Sequence, residues 1–459
     1  MPRGRRGGCW PVRACSWKGP SMTQIQRPGV RWVTEQSRVT TTELFFDLVF
    51  VFAFLQVTTL MTADRGALGI MHGLLVLAAL WWLWSLFAWL SNRVRANYGL
   101  TRLTLLAVTP VMFALAAITL EAFRGFSGGV VAPVGFVGCY ATVRLLYLGL
   151  RWYATPGLRG RDIVSLGVPA LIAVCLLLSA ALLPLGRFGD TATLAGQIAL
   201  WVLAISVDYG AGMALPAPRR KIFSARHWAE RHNLIIILAF GEVLVSIGIA
   251  GRYLHASASL LIASALVVVV VGSLNWIYFD LSALAGEHAL GTADPHYRVR
   301  LARDAYTYLH LPMIAGVILL SLGLKHIPAL VENPHSYDHA EPLDSTGRYT
   351  MYGGIALFLL AHAGFQWRLG HATRIVAWPR LATAALLLAL LPVTARLPAL
   401  QSLAWLAAVC LLAAVAEFLV SRRQRRRLRQ ALSEQTGGEP ATDDNTDSAG
   451  PPPAAGSGC

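Results

Sequence analysis

Two carboxylates lie in the first long apolar segment, TTELFFDLVFVFAFLQVTTL (residues 41–60). An acid near the centre of a membrane helix costs about 2.5–3.5 kcal/mol on insertion scales, so such residues usually face a protein interior or a cavity. Glu43 and Asp47 are four residues apart and therefore share one helical face. The dipole at a helix N-terminus favours an acid, which accounts for Glu43. Asp47 lies one turn deeper and is a candidate for function.

A third acid, Glu242, lies in the apolar segment HWAERHNLIIILAFGEVLVSIG (residues 227–248). We predict that it reaches the middle of the bilayer. Two interpretations are open: Glu242 loads and releases a proton during transport, or it is a protonated acid that is hydrogen-bonded to a neighbouring helix.

Other polar residues in the predicted spans form two groups by their expected roles. Besides Asp47 and Glu242, the candidates for a cytoplasm-side polar layer that serves transport are Asp208, Asp280, His310 and His362. The candidates for structural charge pairing are Arg144, Glu43, Glu230 and Arg231. Arg144 is the single base that the prediction places inside a span, and it must pair with an acid. Asp47 either clamps Arg144 or lines a path toward Glu242.

Helices must position these residues, because the composition requires a membrane. Of 459 residues, 55% are hydrophobic and 14% are charged, whereas soluble domains carry roughly 25% charged residues. A helix needs about 20 apolar residues to cross a bilayer. We therefore predict an all-α polytopic membrane protein with twelve spans, at residues 44–62, 68–91, 102–122, 129–150, 163–186, 194–213, 232–251, 258–281, 305–324, 350–368, 380–397 and 399–421.

The orientation follows from Lys and Arg, which mark cytoplasmic loops. The loops after even-numbered spans carry 17 of these residues and the loops after odd-numbered spans carry seven. We predict a multi-pass protein of the bacterial inner (plasma) membrane with both termini in the cytoplasm. Residues 1–38 form a basic tail without a signal peptide, with Met22 as an alternative start. Residues 422–459 form a basic and then disordered tail.

Three landmarks recur at similar offsets along the chain and indicate an internal duplication. They are Glu43 and Glu230, Trp82 and Trp276, and Pro110 and Pro312. This pattern predicts two parallel six-helix halves, residues 39–213 and 214–421, with the functional site between them. The alternative is a chance likeness among hydrophobic helices.

Four segments resemble the signatures of the bacterial low temperature requirement A family. They are ELFFDLVFVFA (43–53), HWAERHNLIIILAFGEVLVSIG (227–248), NWIYFD (275–280) and YLHLPMIAGVIL (308–319). The resemblance implies a multispanning inner-membrane protein connected with growth in the cold. Its motif positions are Glu43, Asp47, His227, Glu230, Arg231, Glu242, Asp280 and His310. One departure is SNRVRANYG after the second span, because the family pattern has an acid after Asn-Arg.

These observations favour a transporter or channel for a small solute or ion, coupled to protons, with a cytoplasm-facing polar cavity. The alternatives are a membrane-embedded enzyme and a structural or sensory membrane protein of cold or stress adaptation. The sequence contains no CxxC, CxxCH or HExxH motif, so we expect no catalytic residue, no metal and no cofactor. The expected partners are the lipid bilayer and the transported solute, and we expect no binding to nucleic acid. A homo-oligomer is a further possibility that the sequence leaves open.

Overall fold

A computed structural model gives the architecture of the chain. It describes residues 30–63, 66–123, 130–155, 160–186, 189–214, 221–251, 257–331 and 341–435. The predicted tails therefore lie outside the described residues up to residue 29, Met22 included, and from residue 436 onward. The described part is helical, with two isolated β-bridges and no strand. The prediction of an all-α polytopic membrane protein is confirmed.

Fifteen α-helices make up the described residues. They are α1 (Thr41–Ala63), α2 (Ala67–Ser91), α3 (Gly99–Ala117), α4 (Val131–Ala154), α5 (Gly160–Leu182), α6 (Asp190–Ala214), α7 (Ala225–Gly251), α8 (Ala258–Ile277), α9 (Ala283–Thr292), α10 (Pro295–Leu301), α11 (His310–Leu324), α12 (Pro328–Val331), α13 (Ser345–Leu369), α14 (His371–Thr394) and α15 (Ala399–Gln435). Short 3₁₀ turns, Thr119–Glu121 and Leu183–Leu185, follow α3 and α5.

Two π-helical segments join helices that would otherwise be separate. Tyr278–Ser282 links α8 to α9, and Ala302–Tyr308 links α10 to α11. The resulting helices run over Ala258–Thr292 and Pro295–Leu324, so they are longer than the predicted spans at their predicted cytoplasmic ends. The polar turns at these ends continue the helices beyond their apolar segments. Hydropathy alone therefore ends the first helix too early, at residue 281, and begins the second too late, at residue 305. Such π segments add a residue per turn and often occur at functional sites.

Eleven helices in the described part are long and apolar enough to span a membrane. The tenth predicted span corresponds to α13, which has 25 residues but is less apolar than the others. This helix packs against both α11 and α14 and buries most of its surface on protein. An interior helix needs fewer large apolar side chains because it has little contact with lipid.

The six spans of each half pack in the same order. In the first half α1 contacts α2 and α3, and contacts continue from α3 through α4 and α5 to α6, which returns to α2. In the second half α7 contacts α8 and α11, and contacts continue from α11 through α13 and α14 to α15, which returns to α8. Helix α1 joins the halves through α7 and α11. This repeated ring is the packing expected of two parallel six-helix units, and the duplication itself stays a prediction.

Glycines bring α11 and α13 into close contact. A Cβ atom added at Gly354 would lie 2.6 Å from the Gly316 carbonyl oxygen, and one added at Gly316 would lie 2.4 Å from the Gly354 carbonyl oxygen. Gly323 of α11 and Gly347 of α13 are similarly crowded. Small residues are needed where two membrane helices approach backbone to backbone.

We expect Gly354→Ala to lower the free energy of unfolding by about 1–3 kcal/mol, because the added methyl group overpacks the interface. The neighbouring Gly353→Ala is the matched control, since a Cβ atom there meets nothing within 4 Å. That variant should be neutral or stabilised by up to about 1 kcal/mol through helix propensity. Unfolding in mixed detergent micelles measures both. Equal stability of the two variants would contradict the proposed contact.

Candidate functional site

An ion network joins α1 to α7 near the predicted cytoplasmic side. Glu43 and Asp47 lie one turn apart on α1 and face His227 and Arg231, which lie one turn apart on α7. Arg231 donates from its two terminal nitrogens to Glu43 Oε1 at 2.9 Å and to Asp47 Oδ1 at 2.7 Å. All four side chains are buried. Buried charges need such partners, so this network holds the first helices of the two halves together.

The surroundings of Glu43 explain its position at the start of α1. The Thr40 backbone nitrogen and hydroxyl donate to Glu43 Oε2 at 2.8 and 2.9 Å, and the Glu43 backbone nitrogen lies 3.4 Å from Thr40 Oγ1. This Thr-x-x-Glu arrangement is a capping box, in which N-cap and third helical residue satisfy each other's backbone N–H groups.

Asn92, which the sequence analysis does not single out, determines the tautomer of His227. Its amide nitrogen lies 3.2 Å from His227 Nδ1 while its amide oxygen accepts from the Phe223 backbone nitrogen at 2.9 Å. An amide nitrogen only donates, so Nδ1 accepts and Nε2 carries the proton. Nε2 then donates to Glu43 Oε1 at 2.8 Å.

The partners of Asp47 are Arg231 and the indole of Trp84, which donates to Asp47 Oδ1 at 2.8 Å. Arg144 pairs elsewhere, with Asp208 at 2.8 Å. Asp47 therefore ties α1 to α2 and α7 and does not clamp Arg144. Its second oxygen, Oδ2, is buried without a partner among the residues the structure describes.

Glu242 lies nearer the predicted outer side than Asp47. Thr58 on α1 and Ser321 on α11 each donate to Glu242 Oε1 at 3.0 Å. Thr58 is 11 residues after Asp47, which corresponds to about 16 Å along a helix axis. Lys325, just beyond the end of α11, donates to Thr58 Oγ1 at 3.0 Å. Burial lowers the pKa of the Lys325 ammonium, and the nearby Glu242 carboxylate opposes that shift.

A cavity of about 350 Å³ lies mainly among the helices of the first half, on the predicted cytoplasmic side, and residues of the second half complete its wall. Its walls come from α2, the C-terminal parts of α4 and α6, the start of α5 and the π segment Ala302–Tyr308. It extends from Lys221 and Phe223 inward to Trp82, which lies nine residues before the end of α2. Nine helical residues span about 14 Å, so the cavity reaches well into the membrane.

The residues of α2 divide between the cavity and the ion network. Trp82, Ser85, Leu86 and Trp89 follow helical spacing and line the cavity. On another side of the helix, the indole nitrogen of Trp81 donates to the Thr307 carbonyl oxygen at 2.7 Å and Trp84 binds Asp47. The tryptophans therefore separate the two sites, and Trp81 connects α2 to the π segment.

A buried ion pair lies at the inner end of the cavity. Arg144 of α4 and Asp208 of α6 are 2.8 Å apart, and the Tyr140 hydroxyl donates to Asp208. Both charged residues line the cavity while remaining almost completely buried. A ligand in the cavity would therefore contact a charge pair that is shielded from bulk water, where electrostatic interactions are strong.

Aromatic side chains close the first half toward the predicted outer side. His72 near the start of α2 stacks on Phe123 at 4.0 Å between ring centroids. Trp201 of α6 packs on Phe123 at 4.8 Å and on Phe136 of α4 at 5.4 Å. We call these four residues the aromatic plug. They are buried and pack on one another on the predicted outer side of the cavity.

The second half contains a buried polar cluster, which includes the candidates His310 and His362. His310 Nε2 lies 2.9 Å from the Tyr278 hydroxyl, and His362 Nε2 lies 2.8 Å from the Ser282 hydroxyl. Both Tyr278 and Ser282 belong to the π segment Tyr278–Ser282. That segment therefore orients two hydroxyl groups toward the two histidines.

Two charged residues of this cluster are absent from the sequence-based candidates. Arg380 of α14 is buried, pairs with Glu417 of α15 and donates to Ser282 Oγ at 3.2 Å. Arg144 is therefore not the only buried base, since Arg231 and Arg380 are also buried inside helices. Glu417 interrupts the apolar run AVAEFLV, the same signal that marks Glu242. Hydropathy places Arg380 at the first residue of a predicted span, where a base is common. In the structure α14 begins at His371, so Arg380 lies inside the helix.

The remaining candidates are Asp280 and Glu230. Asp280 belongs to the first π segment and is partly buried. Glu230 pairs with Arg226 at 3.1 Å and accepts from the Val39 backbone nitrogen at 3.1 Å. Across the described ranges, no three His, Cys, Asp or Glu side chains group as metal ligands would.

Comparisons with known proteins identify a family to which the sequence is similar. The model of the family described as bacterial low temperature requirement A protein matches residues 38–415. An uncharacterized protein of Rhizobium meliloti (strain 1021) is 27% identical over 409 residues, which cover 86% of this chain and 92% of that relative. No solved structure matches the chain significantly.

Proposed function

The chain belongs to the bacterial low temperature requirement A family, and we propose that it is an inner-membrane transporter or channel for a small solute or ion. In this proposal both termini are cytoplasmic, and the solute enters the cavity of the first half from the cytoplasm. Glu242 couples the movement to protons. The π segment Ala302–Tyr308 brings the second half into contact with the bound solute.

The observation that carries the proposal is the cavity with a buried ion pair at its inner end. A volume of about 350 Å³ falls within the 300–1,000 Å³ range of small-molecule sites. Arg144 and Asp208 bring charge into the membrane interior. Charged side chains there are costly, so they are rare and usually serve a function. A purely structural bundle has no need of this space.

The aromatic plug supports a transporter with alternating access more than an open channel. The cavity lies on the predicted cytoplasmic side, and the buried rings of His72, Phe123, Phe136 and Trp201 pack together on the predicted outer side. Transport then requires these rings to separate while the cytoplasmic side closes. Two similar helical units moving against each other are a common means of such a change.

Reconstitution into proteoliposomes tests the proposal. Currents on a solid-supported membrane are recorded after gradients of sodium benzoate, potassium chloride or alanine are applied. We expect one of these probes to produce a current that is lost in Ala211→Trp, because Ala211 lines the cavity and an indole there fills it. Currents no larger than those of empty liposomes for all three probes would favour a structural or sensory role.

Glu242→Gln tests proton coupling. The glutamine oxygen can still accept from Thr58 and Ser321, so the fold should be preserved, whereas the amide cannot exchange a proton. We expect flux to lose its dependence on a pH gradient, which the lumenal dye pyranine reports. The control is Glu230→Gln on the same helix, because Glu230 contacts Arg226 and Val39 rather than Thr58 or Ser321. This variant should keep the dependence of flux on the pH gradient. Unchanged pH dependence in Glu242→Gln would exclude Glu242 from the coupling.

A further inference from the structure

The charges that line the cavity are unbalanced. Its basic residues are Arg93, Arg144, Arg151 and Lys221, and its acidic residues are Asp162 and Asp208. Arg144 and Asp208 neutralise each other at the inner end. The rest of the cavity therefore carries three basic residues and one acidic residue. In the described part of the chain, neither Arg93 nor Arg151 forms an ion pair.

Several buried hydrogen-bonding groups that line the cavity have no partner among the described residues. They include the hydroxyls of Ser85 and Thr155, which are only 2% and 7% exposed, and the Nε atoms of Arg93 and Arg151. Buried polar atoms in native proteins are nearly always satisfied by protein or by ordered water, so a group of orphans around one cavity marks it as a place for a hydrogen-bonding molecule. All four groups can donate a hydrogen bond, and their common complement is an acceptor.

Two guanidinium groups, those of Arg93 and Arg151, line the same cavity. Arg93 lies over the rings of Trp32 and Phe223, at 5.1 and 5.7 Å from their centroids, which fixes its position. Burial, followed by repulsion from the Arg151 guanidinium, lowers the pKa of Arg93 to about 10. An anion between the two groups would offset both effects, since it attracts each charge.

Aromatic side chains form much of the remaining wall, with Trp82, Trp89, Tyr147 and Tyr308 among the lining residues. We propose that the cavity binds an organic anion, whose carboxylate or phosphate lies between Arg93 and Arg151 and whose apolar body packs on Trp82 and Trp89. Planar guanidinium groups match the two oxygens of such anions. The inference names the substrate class of the transport proposed above and rests on it. A free metabolite and a lipid headgroup share this chemistry.

Calorimetric binding to the detergent-solubilised full chain tests the anion preference. The probes are benzoate and phenyl phosphate, with benzamide as the neutral and benzylamine as the cationic analogue of similar size. We expect at least one anion to bind at least tenfold more tightly than benzamide and benzylamine. Equal binding of the three charge types, or no binding of either anion, would overturn the inference.

The double variant Arg93→Gln, Arg151→Gln should weaken anion binding at least tenfold. Arg95→Gln combined with Arg102→Gln removes the same charge from exposed positions on the same side of the protein and should bind as the wild type does. Equal weakening in both would show a general charge effect and overturn the site. A second readout, thermal stability without ligand, separates lost binding from lost folding.

Mass spectrometry of co-purified lipid distinguishes the two sources of the anion. An anionic lipid that is retained by the wild type, lost from the Arg93, Arg151 double variant and displaced by benzoate would assign the site to lipid headgroups. Its absence, with benzoate binding intact, would assign it to a soluble solute. Binding needs no gradient, so anion binding without flux would contradict the transport proposal alone, and flux without anion preference would contradict this inference alone.

Discussion

Arg231→Met is expected to lower the free energy of unfolding by about 3–5 kcal/mol, because it leaves two acids buried without their shared partner. Arg231 is completely buried and donates to Glu43 at 2.9 Å and Asp47 at 2.7 Å. The methionine side chain fills similar space but offers no donor. The contact between α1 and α7 joins the halves, so the loss should affect the whole fold.

Unfolding by sodium dodecyl sulfate in mixed micelles measures this effect. Arg226→Met is the matched control on the same helix, one turn and a residue earlier. Arg226 is about one-third exposed and forms an i,i+4 pair with Glu230 at 3.1 Å. Surface pairs of this kind contribute about 0–1 kcal/mol, so the control should be nearly as stable as the wild type.

A triple variant separates the charge from the packing. Arg231→Met combined with Glu43→Gln and Asp47→Asn removes all three charges, and a glutamine at position 43 can still complete the capping box with Thr40. We expect it to recover most of the lost stability, because neutralising a buried ionic cluster is often nearly neutral. A triple variant as unstable as Arg231→Met would show that the ion network is not the cause.

The second large effect is on transport. Arg144→Gln combined with Asp208→Asn should reduce flux by about tenfold or more, since interactions of a ligand with desolvated charges contribute several kcal/mol. The two amides can hydrogen-bond to each other, so neither side chain is left as an unpaired charge. We therefore expect the free energy of unfolding to change by less than about 2 kcal/mol, whereas either single variant should cost more.

The second half offers a matched control for this prediction. Arg380 and Glu417 form a similar buried pair, but they lie in the polar cluster of Ser282 and His362 rather than at the cavity. Arg380→Gln with Glu417→Gln should leave flux unchanged when corrected for the amount of folded protein. Equal losses of flux in the two double variants would indicate a general effect of buried charge pairs on the fold.

Much of the candidate site can be anticipated from residue type and spacing. Acids and bases inside apolar runs are rare because hydrocarbon penalises them, so Glu43, Asp47, Arg144, Asp208 and Glu242 stand out in the sequence itself. Helical periodicity also places Glu43 and Asp47 on one face, and the structure has both directed at α7. Glu417 carries the same signal, because it interrupts the apolar run AVAEFLV.

The partners of these residues could not be anticipated. Asp47 had two candidate roles, and the structure gives it a third, because Arg231 lies 184 residues away in the sequence and meets it only through the packing of α1 on α7. The cavity likewise depends on which faces of α2, α4, α5 and α6 point toward one another. The two π segments leave no clear trace in hydropathy, although they orient Tyr278 and Ser282.

The sequence by itself determined that the chain is an all-helical membrane protein, roughly where its long apolar segments lie and most of the acids and bases within them. These properties depend on local composition and on the free energy of transfer into lipid, which each segment carries with it. The tertiary structure alone decided how charges pair, where the space for a ligand lies and what closes it. Pairing and space depend on the relative rotation and approach of helices, and those are set by side-chain packing between distant segments rather than by hydropathy.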